Sequence, residues 1–287
     1  MEKYFDSSYL WGAFPQLLPF LKVTFMVAGS AVLLGSFLGL ILAVAKLGKS
    51  KIARKLANGY TTVLRCTPSI VLLFLVYYGV PYVGNKVGID LNQIDKAIFV
   101  IIAFALQFAA IMSEVIRSAY LSVDKGQYEA GVSVGLSPFQ VYRRIIFPQA
   151  FVIALPNFGN GLVALLHEGA IAYTIGLIDV VGKAELIIAS NYNTHALEIF
   201  LALSIIYWVL SILIERLFHF LEKFFGKGKQ SKNDVKGDEG IVGWIKLSIS
   251  MGDIFCCAFW SPNRFTRYSG SFTCCTSNRV LSCCGKN

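Results

Sequence analysis

Charged residues are scarce in this chain. They make up 15% of its 287 residues, whereas an ordinary soluble domain is about one quarter charged. Five stretches carry no charge at all: Val23–Ala45, Cys66–Asn85, Ala97–Ser113, Ile145–Leu166 and Ile199–Ile214. A helix needs roughly 20 apolar residues to cross a bilayer, and a shorter stretch suffices where a terminal Glu or Lys extends to the headgroups. The composition therefore predicts an all-α membrane protein with about five transmembrane helices.

Residue patterns typical of catalysis and nucleotide binding are absent as well. The sequence has no His-Glu-x-x-His motif and no pair of Asp and Glu residues within the apolar stretches, which argues against a membrane enzyme. Gly48-Lys49-Ser50 ends like a phosphate-binding loop, but Ala43 stands where that loop needs glycine. We therefore expect no enzyme activity in this chain and no cofactor or metal of its own.

An internal repeat is also missing from the sequence. Its absence disfavours a transporter whose two inverted halves lie in one chain. A second membrane subunit, identical or different, is the natural source of the other half.

The net charge of +9 follows from the expected topology rather than from a nucleic-acid partner. The segment 46–65 is basic and contains no acid, whereas the loop 86–96 is balanced and the segment 167–196 is net acidic. Because basic loops remain in the cytoplasm, the first segment should lie inside and the other two outside. Five helices with the N-terminus outside satisfy this pattern.

Small and helix-breaking residues are unevenly distributed among the five stretches. The first stretch carries Gly and Ser at near-helical spacing, which allows a neighbouring helix to approach closely. Those residues are Gly29, Ser30, Gly35, Ser36 and Gly39. The fourth stretch contains Pro148, Pro156, Asn157, Gly159, Asn160 and Gly161. We expect these residues to interrupt the fourth helix, either along a substrate conduit or as a packed structural kink.

The composition changes after residue 230. Residues 1–230 are predicted to form the membrane domain, and residues 231–287 a tail that holds six of the seven cysteines. These cysteines occur as adjacent pairs and lack the C-x₂-C spacing of zinc sites. The tail is expected to be disordered or dispensable.

The loop at 124–148, between the third and fourth stretches, carries the most informative motif. Glu129-Ala130-Gly131 is followed after three residues by Gly135, and after nine more by Ile145. Helix 127–134 should end at a left-handed Gly135. Ser137 should cap a second helix, 139–146, with Pro138 at its start. The apolar side of this second helix, formed by Val141 and Ile145, is predicted to dock into a partner.

This pattern resembles the EAA loop of bacterial ATP-binding-cassette (ABC) importer permeases, E-A-A-x₃-G-x₉-I-x-L-P. Here Gly131 replaces the second Ala and Phe147 replaces Leu. Further segments resemble the polar amino-acid branch of that family over residues 1–230. They are Leu64-Arg65-Cys66-Thr67-Pro68, Pro148-Gln149-Ala150, Ala154-Leu155-Pro156-Asn157 and Tyr173-Thr174-Ile175-Gly176. The resemblance implies a type I (MetI-like) permease fold in the bacterial cell membrane.

The resemblance also implies partners and contact residues. Such permeases pair as dimers, bind two cytoplasmic ATPase subunits that hold ATP and Mg²⁺, and receive substrate from an extracytoplasmic binding protein. The residues that match the coupling motif are Glu129, Ala130, Gly131, Gly135, Ile145 and Pro148. Glu129 would lie at the contact with the ATPase.

Three polar residues mark a candidate substrate path: Thr67, Gln107 and Glu168. An amino acid presents a carboxylate and an ammonium, so its site needs both a donor and an acceptor. The helix start near Thr67 could bind the carboxylate, and Glu168 could bind the ammonium. The alternatives to a role in binding are that Gln107 packs between helices and that Glu168 lies at a solvated helix end.

A second polar pair lies at the inner end of the third helix. Glu114 and Arg117 are three residues apart and thus share one helix face, as an interfacial ion pair or as part of a gate.

The substrate is predicted to be a polar amino acid, with cystine or a related sulfur amino acid among the candidates. A secondary transporter or a membrane-anchored assembly protein without an ATPase is the alternative function.

Truncation after Gln230 is expected to leave transport unchanged, because every matched segment ends before that residue. Uptake by the truncated and complete chains should be compared at equal amounts of each in the membrane. Loss of uptake by a truncated chain that still inserts normally would show that the tail is needed.

Overall fold

The computed structural model describes residues 6–91, 93–192 and 194–226, and their regular structure is helical. The α-helices are α1 Ser7–Leu17, α2 Leu21–Leu47, α3 Lys51–Cys66, α4 Ser69–Lys86, α5 Lys96–Leu121, α6 Lys125–Ser133, α7 Pro138–Val141, α8 Phe147–Glu168, α9 Val180–Ser190 and α10 Ala196–Gly226. Short 3₁₀ turns lie at Leu18–Phe20 and Gly169–Ile175, and a π-helical turn at Tyr142–Ile146. The predicted tail lies outside the described residues.

Four helical runs are long and apolar enough to cross a membrane: Ser8–Leu47, Lys96–Leu121, Pro138–Ile175 and Ala196–Gly226. Helices α3 and α4 pass the same test together, with a bend of 108° between them, and make a fifth span if the bent pair crosses as one. We number these spans one to five in chain order, with the bent pair as span two. The predicted all-α architecture with about five spans is confirmed.

The sharp break within a span lies in span two. The expected interruption of span four at Pro156 is wrong, and the irregular part of span four is the π-helical turn Tyr142–Ile146 directly before Pro148. Helix α8 runs without interruption through Pro156. Pro148 is the second residue of α8 and follows directly on the π-helical turn Tyr142–Ile146. In span two, Thr67 is extended (φ −87°, ψ 124°), because a residue before proline avoids the α conformation. Helix α3 therefore ends and α4 begins in a new direction.

Helix α5 forms the centre of the bundle. Its side chains Phe104, Phe108 and Met112 are almost fully buried, and α2, α3, α4 and α8 pack around it. Gly35 and Gly39 of α2 make the close approach possible, since a Cβ on Gly39 would lie 2.8 Å from the Met112 Cβ. The predicted role of these two glycines in close helix packing is confirmed.

The glycines of span four also allow close helix packing and do not interrupt the helix. A Cβ on Gly159 would lie 2.8 Å from Phe218 of α10, and a Cβ on Gly161 would lie 2.9 Å from the Met112 Cε. Small residues here let α10 and α5 pack closely against α8.

Helices α1, α9 and α10 share a second apolar cluster, which includes Leu17, Val180 and Ile199. The buried Glu198 accepts a hydrogen bond from the Asp6 N–H at 3.2 Å. This contact joins the N-terminal helix to the start of span five.

Large apolar side chains also cover the outside of the bundle. Leu33 is 75% exposed, Leu213 66% and Trp208 63%. Exposed apolar area on this scale would be unfavourable in water and suits lipid or a second membrane subunit.

Gly39→Ala is expected to destabilise the bundle by about 1–3 kcal/mol relative to Gly29→Ala, because the added methyl group overpacks against α5. Gly29 lies on the same helix with no atom within 4 Å of its would-be Cβ. Both changes raise helix propensity equally, so their thermal midpoints in detergent isolate the packing cost. Equal midpoints would contradict the close approach of α2 and α5.

Candidate functional site

The break in span two places a free helix start beside the middle of α5. Helix α4 begins at Ser69, and Pro68 before it provides no side-chain cap. The Leu72 N–H donates to the Pro68 carbonyl at 3.1 Å. The N–H groups of the first turn, from Ser69 to Val71, have no partner within their own helix. Such groups, with the positive end of the helix dipole, attract an anion.

Three polar side chains meet at this helix start: Ser69 of α4, Gln107 of α5 and Glu168 at the end of α8. We call them the polar cluster. The Gln107 Nε2 donates to the Ser69 Oγ at 2.7 Å and, more weakly, to the Glu168 Oε1 at 3.4 Å. All three side chains are half-buried.

The polar cluster leaves acceptor atoms open to a ligand. The Gln107 Oε1 is buried without a hydrogen-bond partner among the described residues. The Glu168 carboxylate has lone pairs beyond the one that Gln107 uses. The two acceptors can bind the ammonium of a zwitterion, and the N–H groups of the adjacent helix start can bind its carboxylate.

The structure brings together two of the three residues predicted for the substrate path. Gln107 and Glu168 lie in the polar cluster, but Thr67 does not. The Thr67 hydroxyl donates to the Val63 carbonyl at 2.8 Å and so caps the end of α3. Ser69, two residues further on, takes its place. Participation of these residues in substrate binding remains a prediction.

The loop at 124–148 forms a helix–turn–helix as predicted. Helix α6 ends at Ser133, and Gly135 has a left-handed φ of +85°. Ser137 caps the following helix in a reciprocal capping box with Gln140, and Pro138 lies at its start. The second helix does not end at residue 146, because the π-helical turn carries it into α8.

The apolar side of the second helix is buried within its own chain, which corrects the prediction that it docks into a partner. Val141 is fully buried, and Ile145 packs partly buried against the same cluster. A Cβ on Gly131 would lie 2.8 Å from Val141 and 3.2 Å from Ile145. Gly131, which replaces the alanine of the motif, therefore leaves room for this contact.

A different surface of the loop is exposed. Val134 is 76% exposed and Phe139 72%, and they flank the turn at Gly135. Glu129 and Ala130 are exposed on α6. This surface, formed by Glu129, Ala130, Val134 and Phe139, is what the loop offers to a partner, and we call it the loop tip. Pro148 is exposed at the start of α8.

Aromatic rings attach the loop to span three. Tyr142 of the π-helical turn stacks on Tyr120 near the end of α5, with ring centroids 6.4 Å apart. Tyr128 of α6 lies 5.7 Å from the same Tyr142 ring. These ring contacts join the loop to the C-terminal end of α5.

A buried lysine joins three helices at the end of α2. The Lys46 Nζ of α2 donates to the Thr61 Oγ1 of α3 and to the Glu114 Oε1 of α5, at 2.6 and 2.7 Å. The predicted ion pair of Glu114 with Arg117 is present at 2.9 Å. The sequence places Lys46 only within a basic segment and gives no sign that it is buried.

Metal ligands do not converge anywhere in the described part of the chain. His195 instead stacks on Tyr9 with ring centroids 3.6 Å apart. The carboxyl of Asp179 caps α9 through the Gly182 N–H at 2.8 Å, and burial raises its pKa.

Comparison with known proteins gives a family match over most of the membrane domain. Residues 31–227 match the family described as "Binding-protein-dependent transport system inner membrane component". The chain is 39% identical to the L-cystine transport system permease protein TcyL of Bacillus subtilis, over 80% of this chain and 95% of that protein. It is 35% identical to the nopaline transport system permease protein NocM of Agrobacterium fabrum, over 74% of this chain and 88% of that protein.

Solved structures show the same fold. An amino acid ABC transporter crystallised with histidines matches with a TM-score of 0.67 and 29% identity, over 77% of this chain and 99% of that one. The inward-facing MetNI methionine ABC transporter matches with a TM-score of 0.55 at 19% identity, which is a likeness of fold alone.

Proposed function

Because this chain belongs to the family of binding-protein-dependent transport system inner membrane components, we propose that it is the membrane subunit of an ABC importer for amino acids. It would lie in the inner membrane as a multi-pass protein with its N-terminus outside. The family membership sets aside the alternatives of a secondary transporter and an assembly protein.

The polar cluster is the observation that carries the substrate proposal. A zwitterionic amino acid would place its carboxylate at the start of α4 and its ammonium between Glu168 and the Gln107 Oε1. An unpaired carboxylate in a buried cavity costs several kcal/mol, so Glu168 gains most from a cationic group. Cystine is the specific candidate, on the strength of the 39% identity to a cystine permease.

The loop tip would contact a separate cytoplasmic ATPase that binds ATP and Mg²⁺. Its exposed Phe139 offers an apolar anchor, and its Glu129 offers a charge for a basic or N–H-rich partner surface. Because the loop is attached to α5 and continues into α8, closure of an ATPase dimer would move the two helices that carry Gln107 and Glu168. The remaining partners would be a second permease subunit and an extracytoplasmic binding protein.

Gly135→Val is expected to abolish ATPase-coupled transport while leaving membrane insertion intact. A β-branched residue is strained at the left-handed φ of +85°. Gly135→Asn is the matched control, since asparagine tolerates this conformation and no atom lies within 4 Å of the added Cβ. Co-purification of the ATPase and uptake should be measured for both. Full coupling in the valine variant would show that the loop is not the contact.

Glu168→Gln is expected to weaken transport of a zwitterionic amino acid about tenfold or more, equivalent to about 1.4 kcal/mol. The measurement is uptake into proteoliposomes over a range of substrate concentrations with the cognate binding protein. Glu185→Gln in α9 makes the same charge change away from the polar cluster and should have little effect. ATPase docking should be normal in both variants. Unchanged uptake in Glu168→Gln would show that Glu168 does not bind substrate and lies at a solvated helix end.

A further inference from the structure

A polar cavity opens between the ends of α2, α3 and α5, on the side of the bundle opposite to Lys96 and the start of α5. It has a volume of about 330 Å³ and is lined by Lys46, Arg54, Asn58, Glu114 and Arg117. By the same measure a single water needs only roughly 10–15 Å³. The cavity can therefore hold a polar group much larger than one water.

One wall of the cavity is a closed structural network. Lys46 is 1% exposed at its side chain and donates to three acceptors, Thr61, Ser113 and Glu114. These bonds use all three N–H groups of its ammonium. Glu114 is occupied by Lys46 on one oxygen and by Arg117 on the other. This wall therefore fixes the geometry of the cavity.

The lining as a whole carries an excess of positive charge. Its three cationic side chains, Lys46, Arg54 and Arg117, face one carboxylate, Glu114, which leaves a formal excess of two positive charges. Arg117 uses its Nε and one terminal nitrogen for Glu114. Arg54 is held by its Nη2, which donates to the Gly48 carbonyl at 2.7 Å. The remaining guanidinium N–H groups match the oxygens of an anion, and a phosphate in particular.

The location of the cavity favours a lipid as the source of that anion. Lys46 lies at the end of α2, Arg54 in the first turn of α3 and Arg117 in the last turns of α5. These are the helix ends that the basic segment 46–65 assigns to the cytoplasmic leaflet, where anionic lipids concentrate.

Helix α3 itself has the character of an interfacial helix. Its buried Ala57 and Thr61 face the bundle, whereas Ile52 is 74% exposed and Leu56 69%. Arg54 lies three residues before Ala57, on the side of the helix that faces the cavity. An exposed apolar stripe beside basic residues suits a helix whose apolar side enters the acyl region while its cations meet headgroups.

We propose that this cavity binds the phosphate of an anionic phospholipid of the inner leaflet, with Arg54 and Arg117 as its ligands and the Lys46–Glu114 network as its support. The bound lipid would join the inner ends of α2, α3 and α5. The proposal rests on the orientation given under the proposed function, but it is tested by binding and does not require transport.

The test is native mass spectrometry of the complete purified transporter, titrated with phosphatidylglycerol or with phosphatidylcholine of the same acyl chains. The wild type should retain phosphatidylglycerol in preference. Arg54→Gln should weaken that binding about tenfold more than Lys55→Gln, because both lose one charge but only Arg54 lines the cavity. Arg54→Lys should recover part of the binding, and thermal unfolding should show that all variants are folded.

Equal losses in Arg54→Gln and Lys55→Gln would reduce the effect to general surface charge and overturn the proposal. Equal binding of the two lipids by the wild type would do the same. In a separate arm, inorganic phosphate is added without lipid. Thermal stabilisation by phosphate that depends on Arg54, with no preference for phosphatidylglycerol, would assign the cavity to a soluble anion instead.

Discussion

The membrane interior offers no water to satisfy backbone polar groups, and the rest of this structure depends on where that constraint is relaxed. A helix can break inside a bilayer only where protein or a water-filled path covers the freed N–H and carbonyl groups. Here the break lies at Thr67-Pro68, beside the polar cluster of Ser69, Gln107 and Glu168. The freed N–H groups at the start of α4 and the acceptors of the polar cluster together form the candidate binding site.

Helix α5 connects this site to the other end of the bundle. Its middle carries Gln107, its C-terminal half carries Glu114 in the Lys46 network, and its last turn carries Tyr120 against the loop at 124–148. Close packing on α2 through Gly35 and Gly39 gives α5 little freedom to bend. A displacement of the loop tip should therefore reach the polar cluster through a rigid helix rather than through local rearrangement.

Much of this could be predicted from the sequence, because the relevant signals are local. The apolar stretches predict the spans. Gly135, Ser137 and Pro138 predict the turn in the loop at 124–148, because each of these residues acts on its own backbone. The helix start near Thr67 could be predicted from Pro68, but the continuation of α8 through Pro156 could not, because a proline inside a membrane helix is tolerated where the surrounding structure satisfies the freed backbone groups. The burial of Lys46 and Val141 could not be predicted either, because burial depends on residues distant in the chain.

The central claim is that substrate binds at the start of α4 between Ser69 and Glu168. The most direct measurement is a structure of the complete importer with its amino acid bound in the membrane domain. The account predicts that the substrate carboxylate lies against the first-turn N–H groups of α4 and that its ammonium lies within hydrogen-bond distance of Glu168. A substrate bound elsewhere in the membrane domain, with the Ser69–Gln107–Glu168 hydrogen bonds unchanged, would contradict it.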